Sequence, residues 1–252
     1  MVSEDKIDKF KEAARIIKSA KYLVVFTGAG ISAESGVPTF RGDKGIWKKY
    51  DSNVLSLSYF IEHPEESWKA QKEFFDIILN ANPNYAHIAL AELEKKGILK
   101  SIVTQNIDNL HQKAGSENVF EFHGTMKTVT CINPRCMHKY KTEELDLTKL
   151  PPKCEKCGSV LKTDICFFEE NPPEPAKSLS FQEASKTDVM IIVGTSGVVH
   201  PAALLPVTAK ENGAKIIEIN PDSSLLTIYG TTDIFLQGEA GEVMKKIMEE
   251  ME

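Results

Sequence analysis

Nothing in this 252-residue chain approaches the ~18 consecutive apolar residues that a membrane span needs. The first residues, Met-Val-Ser-Glu-Asp-Lys, also lack the apolar stretch of a secretory leader. Positive charge is short: 30 Lys and Arg face 36 Asp and Glu, a formal net charge of −6. That balance argues against a nucleic-acid scaffold while allowing a basic partner steered toward an acidic surface. Cysteine is scarce and odd in number, five in all, which does not suit a disulfide framework. Internal repeats and low-complexity linkers are missing too. These absences leave a cytoplasmic protein, long enough for one large domain or a domain plus a small module around a sizeable core.

What is present begins with a β-branched run at 22–25 that breaks into Gly28-Ala29-Gly30. This predicts a buried strand ending in a tight turn, with a short helix opening at Ile31. In the pattern G-x-G-x-x-A the glycines would bring bare backbone N–H groups up to a pyrophosphate. Ala33 would let helix and strand pack closely, and the helix N-terminus would add partial positive charge. A lone match fits an empty strand-to-helix turn as well. A dehydrogenase would continue into a second strand carrying a ribose-binding acid about 20 residues on. This chain instead enters Gly36-Val37-Pro38-Thr39-Phe40-Arg41-Gly42, whose composition suits a loop closing over a ligand.

Elsewhere Ile7, Phe10, Ala14 and Ile17 recur at helical spacing behind Ser3, an N-cap. Trp68, Phe74, Phe75 and Ile78 predict a helical insert over 64–79, packing residues by default. Pro83 opens a further helix with Leu90 and Leu93 inward and Gly97 at its end. Strands at 101–104, 119–122, 189–193, 216–219 and 234–236, with helices over 201–212 and from about 241, alternate into a parallel sheet covered on both faces. The stretch 143–153 reads as loose.

Five strand ends carry small or polar residues. Cys131-x4-Cys136-x17-Cys154-x2-Cys157 interrupts them with the spacing of a four-thiolate structural zinc site. Gly158 permits the tight turn such a knuckle needs, and four sulfurs leave no open position for water. Thr104-Gln105-Asn106-Ile107-Asp108-Asn109-Leu110-His111 runs off a strand, where open parallel sheets bind ligands. Helix capping by Asn106 or Asp108 explains that segment equally well, and His111 can simply face solvent. His123-Gly124 places a histidine where a general base could act, although a lone histidine is more often structural. Gly194-Thr195-Ser196 and Asn220-Pro221-Asp222 end two more strands. Together they describe one crevice.

In this order these motifs resemble the sirtuins, NAD-dependent protein-lysine deacylases, over 26–241. The resemblance implies an α/β fold: a Rossmann-like parallel-sheet large domain with an inserted small zinc-ribbon domain and a helical insert. It divides the chain into 1–42, 83–126 and 163–252 for the NAD-binding domain, 43–82 for the cofactor-loop end and insert, and 127–162 for the zinc ribbon. NAD is implied as a consumed co-substrate, with one structural zinc on Cys131, Cys136, Cys154 and Cys157. His123 and Asn106 are the implied catalytic residues. Cofactor contacts carry over to Gly28, Ala29, Gly30, Ser32, Glu34, Phe40, Arg41, Gln105, Ile107, Asp108, Gly194, Thr195, Ser196, Asn220, Pro221, Asp222 and Ala240. Substrate contacts carry over to Ile165, Cys166, Phe167, Phe168, Glu169 and Val198. The expected partners are acetyl-lysine proteins or basic peptides, without direct nucleic acid or membrane contact, acted on by a monomer.

The chain departs from the family where relatives carry Pro-x-Ile/Val-Val-x-Phe-Gly-Glu. Thr163 replaces the Pro, Cys166 a Val and Glu169 the Gly, and Gly197 is a further oddity. A side chain at 169 would crowd an incoming peptide, and Glu169 with Glu170 would set two carboxylates at the channel mouth. Succinyl-removing relatives carry a Tyr and an Arg that align here with Gln71 and Phe74, so the acyl group should be uncharged. A hydride-transferring oxidoreductase, a non-catalytic ADP-ribose sensor and an ADP-ribosyltransferase remain as other readings of the same crevice.

Overall fold

The computed structural model describes residues 4–40 and 45–252. Helix α1 (Glu4–Ser19) leads into β1 (Leu23–Thr27) and a 3-10 helix over Ala29–Ser35. After α2 (Leu57–Glu62), α3 (Pro64–Asn80) and α4 (Tyr85–Lys95) come β2 (Leu99–Thr104), α5 (Leu110–Lys113) and β3 (Val119–Glu121). Three strands follow, β4 (Gly124–Cys131), β5 (Lys139–Lys141) and β6 (Leu161–Ile165). The chain ends through α6 (Ala176–Lys186), β7 (Val189–Val193), α7 (Leu204–Glu211), β8 (Lys215–Asn220), α8 (Leu225–Ile228), β9 (Ile234–Gln237) and α9 (Ala240–Glu250). Among the described residues no helix is long and apolar enough to cross a membrane.

Six strands form a parallel sheet in the order β3-β2-β1-β7-β8-β9. Val25 pairs with Ile102 on one side and Ile191 on the other. Alternation sorts the apolar side chains between two faces. Leu23, Val25, Ile191 and Val193 pack with α1, α4 and α9, while Val24, Phe26, Met190 and Ile192 pack toward α6 and α7. Burial on both sides is why these strands read as unbroken apolar runs.

β4, β5 and β6 form a separate antiparallel sheet. It shares a core with α2 and α3 through Phe60, Trp68, Ile78, Val129, Leu161 and Phe167. The Trp68 indole N–H donates to the Leu161 carbonyl at 2.7 Å, so the largest side chain of that core also has its polar atom satisfied. The stretch 143–153, read as loose, places Leu145, Leu147 and Leu150 against this core.

Several elements differ from the pattern reading. α6 was not legible because its inward face carries Ser180, Glu183 and Ala184 instead of an apolar stripe. Glu183 is held there by the hydroxyls of Tyr22 (2.9 Å) and Ser101 (2.7 Å). The helix expected over 201–212 begins only at Leu204. Helix α4 takes its N-cap from Asn84, whose side chain accepts the Ala86 N–H at 3.0 Å, and Gly97 follows its end with φ +72°.

Two histidines are sealed between α4 and α5. His111, for which a solvent-facing place was one reading, is 1% exposed, and its ring lies 4.9 Å from that of His87. Burial holds both neutral, with His87 brought from 6.5 to about 4 and His111 well below 6.5. Below 6.5 the unfolded chain therefore binds more protons than the fold. The stability these two rings contribute is full above that pH and is lost as pH falls from 6.5 toward about 4. Melting temperature against pH should decline across that window, and a flat profile would contradict the assignment. Trp68→Ala should cost about 3–5 kcal/mol, read as a lower denaturant midpoint, because it empties the second core and orphans the Leu161 carbonyl.

Candidate active site

Because the large sheet is parallel, β1, β2, β3, β7 and β8 all end on one edge. A cleft of ≈ 680 Å³ lies there, closed on its far side by the β6 exit. It collects Gly28, Ala29, Gly30, Phe40, Gln105, Asn106, Ile107, His123, Ile165 to Glu169, Gly194 to Ser196 and Asn220 to Asp222. Ser32, Glu34, Asp108, Val198 and Ala240 do not line it, and Arg41 lies outside the described residues.

The glycines of the first motif do a different job from the one their spacing suggests. Gly28 N–H donates to Val193 O at 3.0 Å and Gly30 N–H to Gly194 O at 2.9 Å, so neither is bare toward the cleft. A Cβ on Gly30 would sit 2.6 Å from Gly194 Cα, and one on Gly194 (φ +65°) 2.4 Å from Ile31 N. These residues let the chains leaving β1 and β7 touch backbone to backbone. The segment that follows is a 3-10 helix, and Ala33 is exposed along the cleft instead of wedged between helix and strand.

Beneath the cleft a buried polar network fixes Asn106. Its Nδ2 donates to Gly28 O and Ser32 Oγ, both at 3.1 Å, which leaves the amide oxygen for the cleft. Ser32 donates to Asp108 at 2.6 Å, and the other Asp108 oxygen accepts the Leu110 N–H at 3.0 Å. Burial raises the Asp108 carboxyl above its usual range, opposed by those hydrogen bonds. Ser32 and Asp108 thus support a cleft residue from behind. Gln105 Nε2 donates to Thr195 Oγ1 at 2.9 Å, tying the β2 end to the β7 end.

His123 Nδ1 lies 3.2 Å from the Gln105 carbonyl, which can only accept, so the proton sits on Nδ1 and Nε2 keeps its lone pair. Burial lowers the pKa of this ring and the bond to Gln105 works against that, leaving it neutral at pH 7. Its position depends on Gly124 (φ +77°), where a Cβ would fall 2.1 Å from Asp164 O. Only a residue without one permits β4 to start against β6 there.

At the other end Asn220 Nδ2 donates to Thr195 O (2.8 Å) and Glu218 (3.0 Å). Glu218 is 0% exposed, and its second oxygen accepts the hydroxyls of Thr227 and Thr232, each at 2.6 Å. It thereby holds α8, which brings Leu225 and Ile228 to the cleft. The sequence reading missed α8 along with Leu55, Val199, His200 and Glu239. Asn220-Pro221-Asp222, which leads straight into Ser223 and Ser224, was the available signal for α8. Glu34 instead accepts the Gly241 N–H at 2.5 Å, capping α9, and Ala240 is buried with that helix. Val199, next to Val198, lines the cleft.

At the β6 exit both carboxylates of the expected acidic mouth line the cleft, but only Glu170 is paired with a cation. Glu169 accepts the Ser58 N–H (3.0 Å) and hydroxyl (2.9 Å), and Glu170 pairs with Lys162 at 2.8 Å. Both carboxylates are engaged with the protein, and the Glu169 side chain is directed at α2. Thr163 is buried and donates to Gln71 at 2.6 Å. Burial pushes the Cys166 thiol up to about 11, which keeps it protonated at neutral pH.

The sulfurs of Cys131, Cys136, Cys154 and Cys157 lie within 4.8 Å of one another, with 3.4 Å between Cys131 and Cys157 and 3.7 Å between Cys136 and Cys154. Tetrahedral zinc with ~2.3 Å bonds sets its sulfurs about 3.8 Å apart, so the four residues fit the ion.

The Sir2 family model matches residues 28–201. An NAD-dependent protein deacylase of Pyrococcus furiosus is 46% identical over 95% of this chain and 97% of its own. NAD-dependent protein deacylase 2 of Archaeoglobus fulgidus is 45% identical over 97% and 96%. Among solved structures, a Sir2 homolog–NAD complex superposes with a TM-score of 0.88 at 42% identity, covering 95% of this chain and 93% of that one. A Sir2–p53 peptide–NAD+ structure gives 0.88 at 37%, covering 96% and 98%. With its parallel sheet, small cysteine-bearing sheet and the cleft between them, the chain belongs to the Sir2 family.

Proposed function

We propose that this chain is an NAD-dependent protein-lysine deacetylase that yields nicotinamide, O-acetyl-ADP-ribose and free lysine. The observation that carries the reading is His123: a buried, neutral imidazole with Nδ1 tied to the Gln105 carbonyl and Nε2 unprotonated, in the same cleft as Asn106 and the Gly28 turn. NAD supplies an ADP-ribosyl group activated by its nicotinamide leaving group. The acyl oxygen would displace nicotinamide at the ribose anomeric carbon. His123 Nε2 would then accept the proton of a ribose hydroxyl so that this oxygen attacks the acyl carbon, and water would complete the transfer as the lysine amine leaves. The Asn106 amide oxygen, fixed by the Ser32–Asp108 pair, orients ribose and water. Phe40, whose ring lies 6.0 Å from that of Phe74, screens the reacting end. Gly194, Thr195, Ser196, Asn220 and Asp222 receive the adenosine side. Ile165, Phe167 and Phe168 form the wall for acyl-lysine. Zinc on the four cysteines would brace the small sheet and take no part in the chemistry.

This reading keeps 1–42, 83–126 and 163–252 as the NAD-binding domain, 43–82 as loop and insert, and 127–162 as the zinc module. A net charge of −6 supports basic lysine-bearing partners, and thiols poised for zinc support a reducing cytoplasm. We take the enzyme to act as a monomer, without nucleic acid or membrane.

Mass spectrometry of a reaction with NAD and an acetyl-lysine peptide should find nicotinamide and O-acetyl-ADP-ribose together; nicotinamide without the ester would overturn the reading. His123→Ala should lower turnover by ~10²–10⁴-fold with NAD affinity nearly intact, and near-normal turnover would remove His123 from the mechanism. Because its pKa is depressed, the acid limb of wild-type activity should fall below the ordinary histidine value of 6.5. Succinyl-lysine should be cleaved more slowly than acetyl-lysine. Gln71 is 2% exposed and bonded to Thr163, and no Lys or Arg is among the described cleft residues, so an acyl carboxylate would be buried unpaired. Equal rates would contradict this. Cys154→Ala should lose zinc and give poorly soluble protein, since site and module form together; a monodisperse, active variant would argue otherwise.

A further inference from the structure

Three described non-glycine residues have positive φ: Asn109, Met137 and Glu169. Only Glu169, at +76°, lines the cleft. Asparagine tolerates the left-handed region through its short polar side chain, whereas a long acidic residue has no such intrinsic advantage. Something must hold Glu169 there, and its carboxylate shows what. One oxygen accepts the Ser58 hydroxyl at 2.9 Å and the other the Ser58 backbone N–H at 3.0 Å. Ser58 is in the first turn of α2, where backbone N–H groups lack helical partners and negative charge is favoured. One residue earlier, Phe168 N–H donates to Leu55 O at 2.9 Å and Phe168 O accepts Leu57 N–H at 3.2 Å. One residue later, Glu170 accepts Phe167 N–H at 2.8 Å and pairs with Lys162. Leu55, Phe167, Phe168 and Glu169 all face the cleft.

We propose that Glu169 is a positioning residue for the acyl-lysine peptide, a carboxylate latch that holds α2 to the cleft rim and fixes Leu55 and Phe168 before the peptide arrives. The proposal rests on the deacetylase reading for its kinetic consequence, while the latch itself is testable without it. The groups on the NAD side are carried by β1, β2, β7 and β8 and do not depend on this contact. In Glu169→Gly the backbone strain is relieved as the helix cap is lost, two opposed changes, so the fold survives with little change in melting temperature. In Glu169→Gln the amide oxygen can accept the Ser58 N–H and the amide nitrogen can donate to the Ser58 hydroxyl.

The test measures Michaelis constants for an acetyl-lysine peptide and for NAD, turnover, and hydrogen exchange of the backbone amides at 57–60. Glu169→Gly should raise the peptide constant about five-fold, the loss of roughly one hydrogen bond, with the NAD constant and turnover within about two-fold. Exchange at 57–60 should quicken. Glu169→Gln should return the peptide constant and the exchange to near wild type. A lower or unchanged peptide constant in Glu169→Gly would overturn the proposal, as would Glu169→Gln behaving like Glu169→Gly, because charge and not position would then be acting. If the wild-type protein makes no O-acetyl-ADP-ribose, the deacetylase reading fails separately. Unaltered exchange at 57–60 in Glu169→Gly would then overturn the latch by itself.

Discussion

Two backbones in direct contact underlie the site. The chain leaving β1 and the chain leaving β7 approach so closely at Gly28, Gly30 and Gly194 that a single methyl at any of them would meet backbone atoms at or below 2.8 Å. Hydrogen bonds from Gly28 to Val193 and from Gly30 to Gly194 close the contact. Everything on the sheet edge takes its place from it. Asn106 is aimed by the Gly28 carbonyl, Gln105 by Thr195, and Asn220 by the Thr195 carbonyl.

The opposite wall is built on separate principles. It belongs to a second core, where α2 and α3 cover the small sheet and Trp68 joins the two. The segment after β6 is bent round Lys162. That side chain donates to the Ile165 carbonyl at 2.9 Å, pairs with Glu170 and lies 4.0 Å from the Phe167 ring centroid. One half-buried cation thus organises the loop that faces His123. His123 is the hinge between the two systems, since its ring is held by the Gln105 carbonyl of the large sheet and its own carbonyl accepts the Cys166 N–H at 2.8 Å.

Two buried carboxyl groups are held mainly by neutral donors. Glu218 and Asp108 both sit inside the protein and are satisfied by hydroxyl, amide and backbone donors. Each supports a residue that reaches the cleft, Asn220 in one case and Asn106 in the other. Rigid polar scaffolding of this kind keeps a site preorganised, because every alternative position would leave a buried group unpaired.

How much could be read in advance follows from which interactions are local. The apolar runs at 22–25 and 189–193 specified buried strands, and helical spacing specified α3, because burial on defined faces is written directly as periodicity. The cysteine spacing specified a metal knuckle, since ligand geometry constrains neighbours in the chain. The strand-end motifs also named the sheet-edge side of the cleft, because a parallel sheet must gather its carboxyl ends on one edge. What needed the tertiary structure were partners far apart in sequence. The glycines of the first motif proved to meet Gly194, 164 and more positions away, instead of offering free N–H groups. Glu34 was claimed by α9, α6 hid its helix behind an inward Glu183 bound to Tyr22 and Ser101, and Glu169 found Ser58. A side chain's chemistry is fixed by its sequence, but which donor satisfies it is decided only when distant segments are brought within 3 Å.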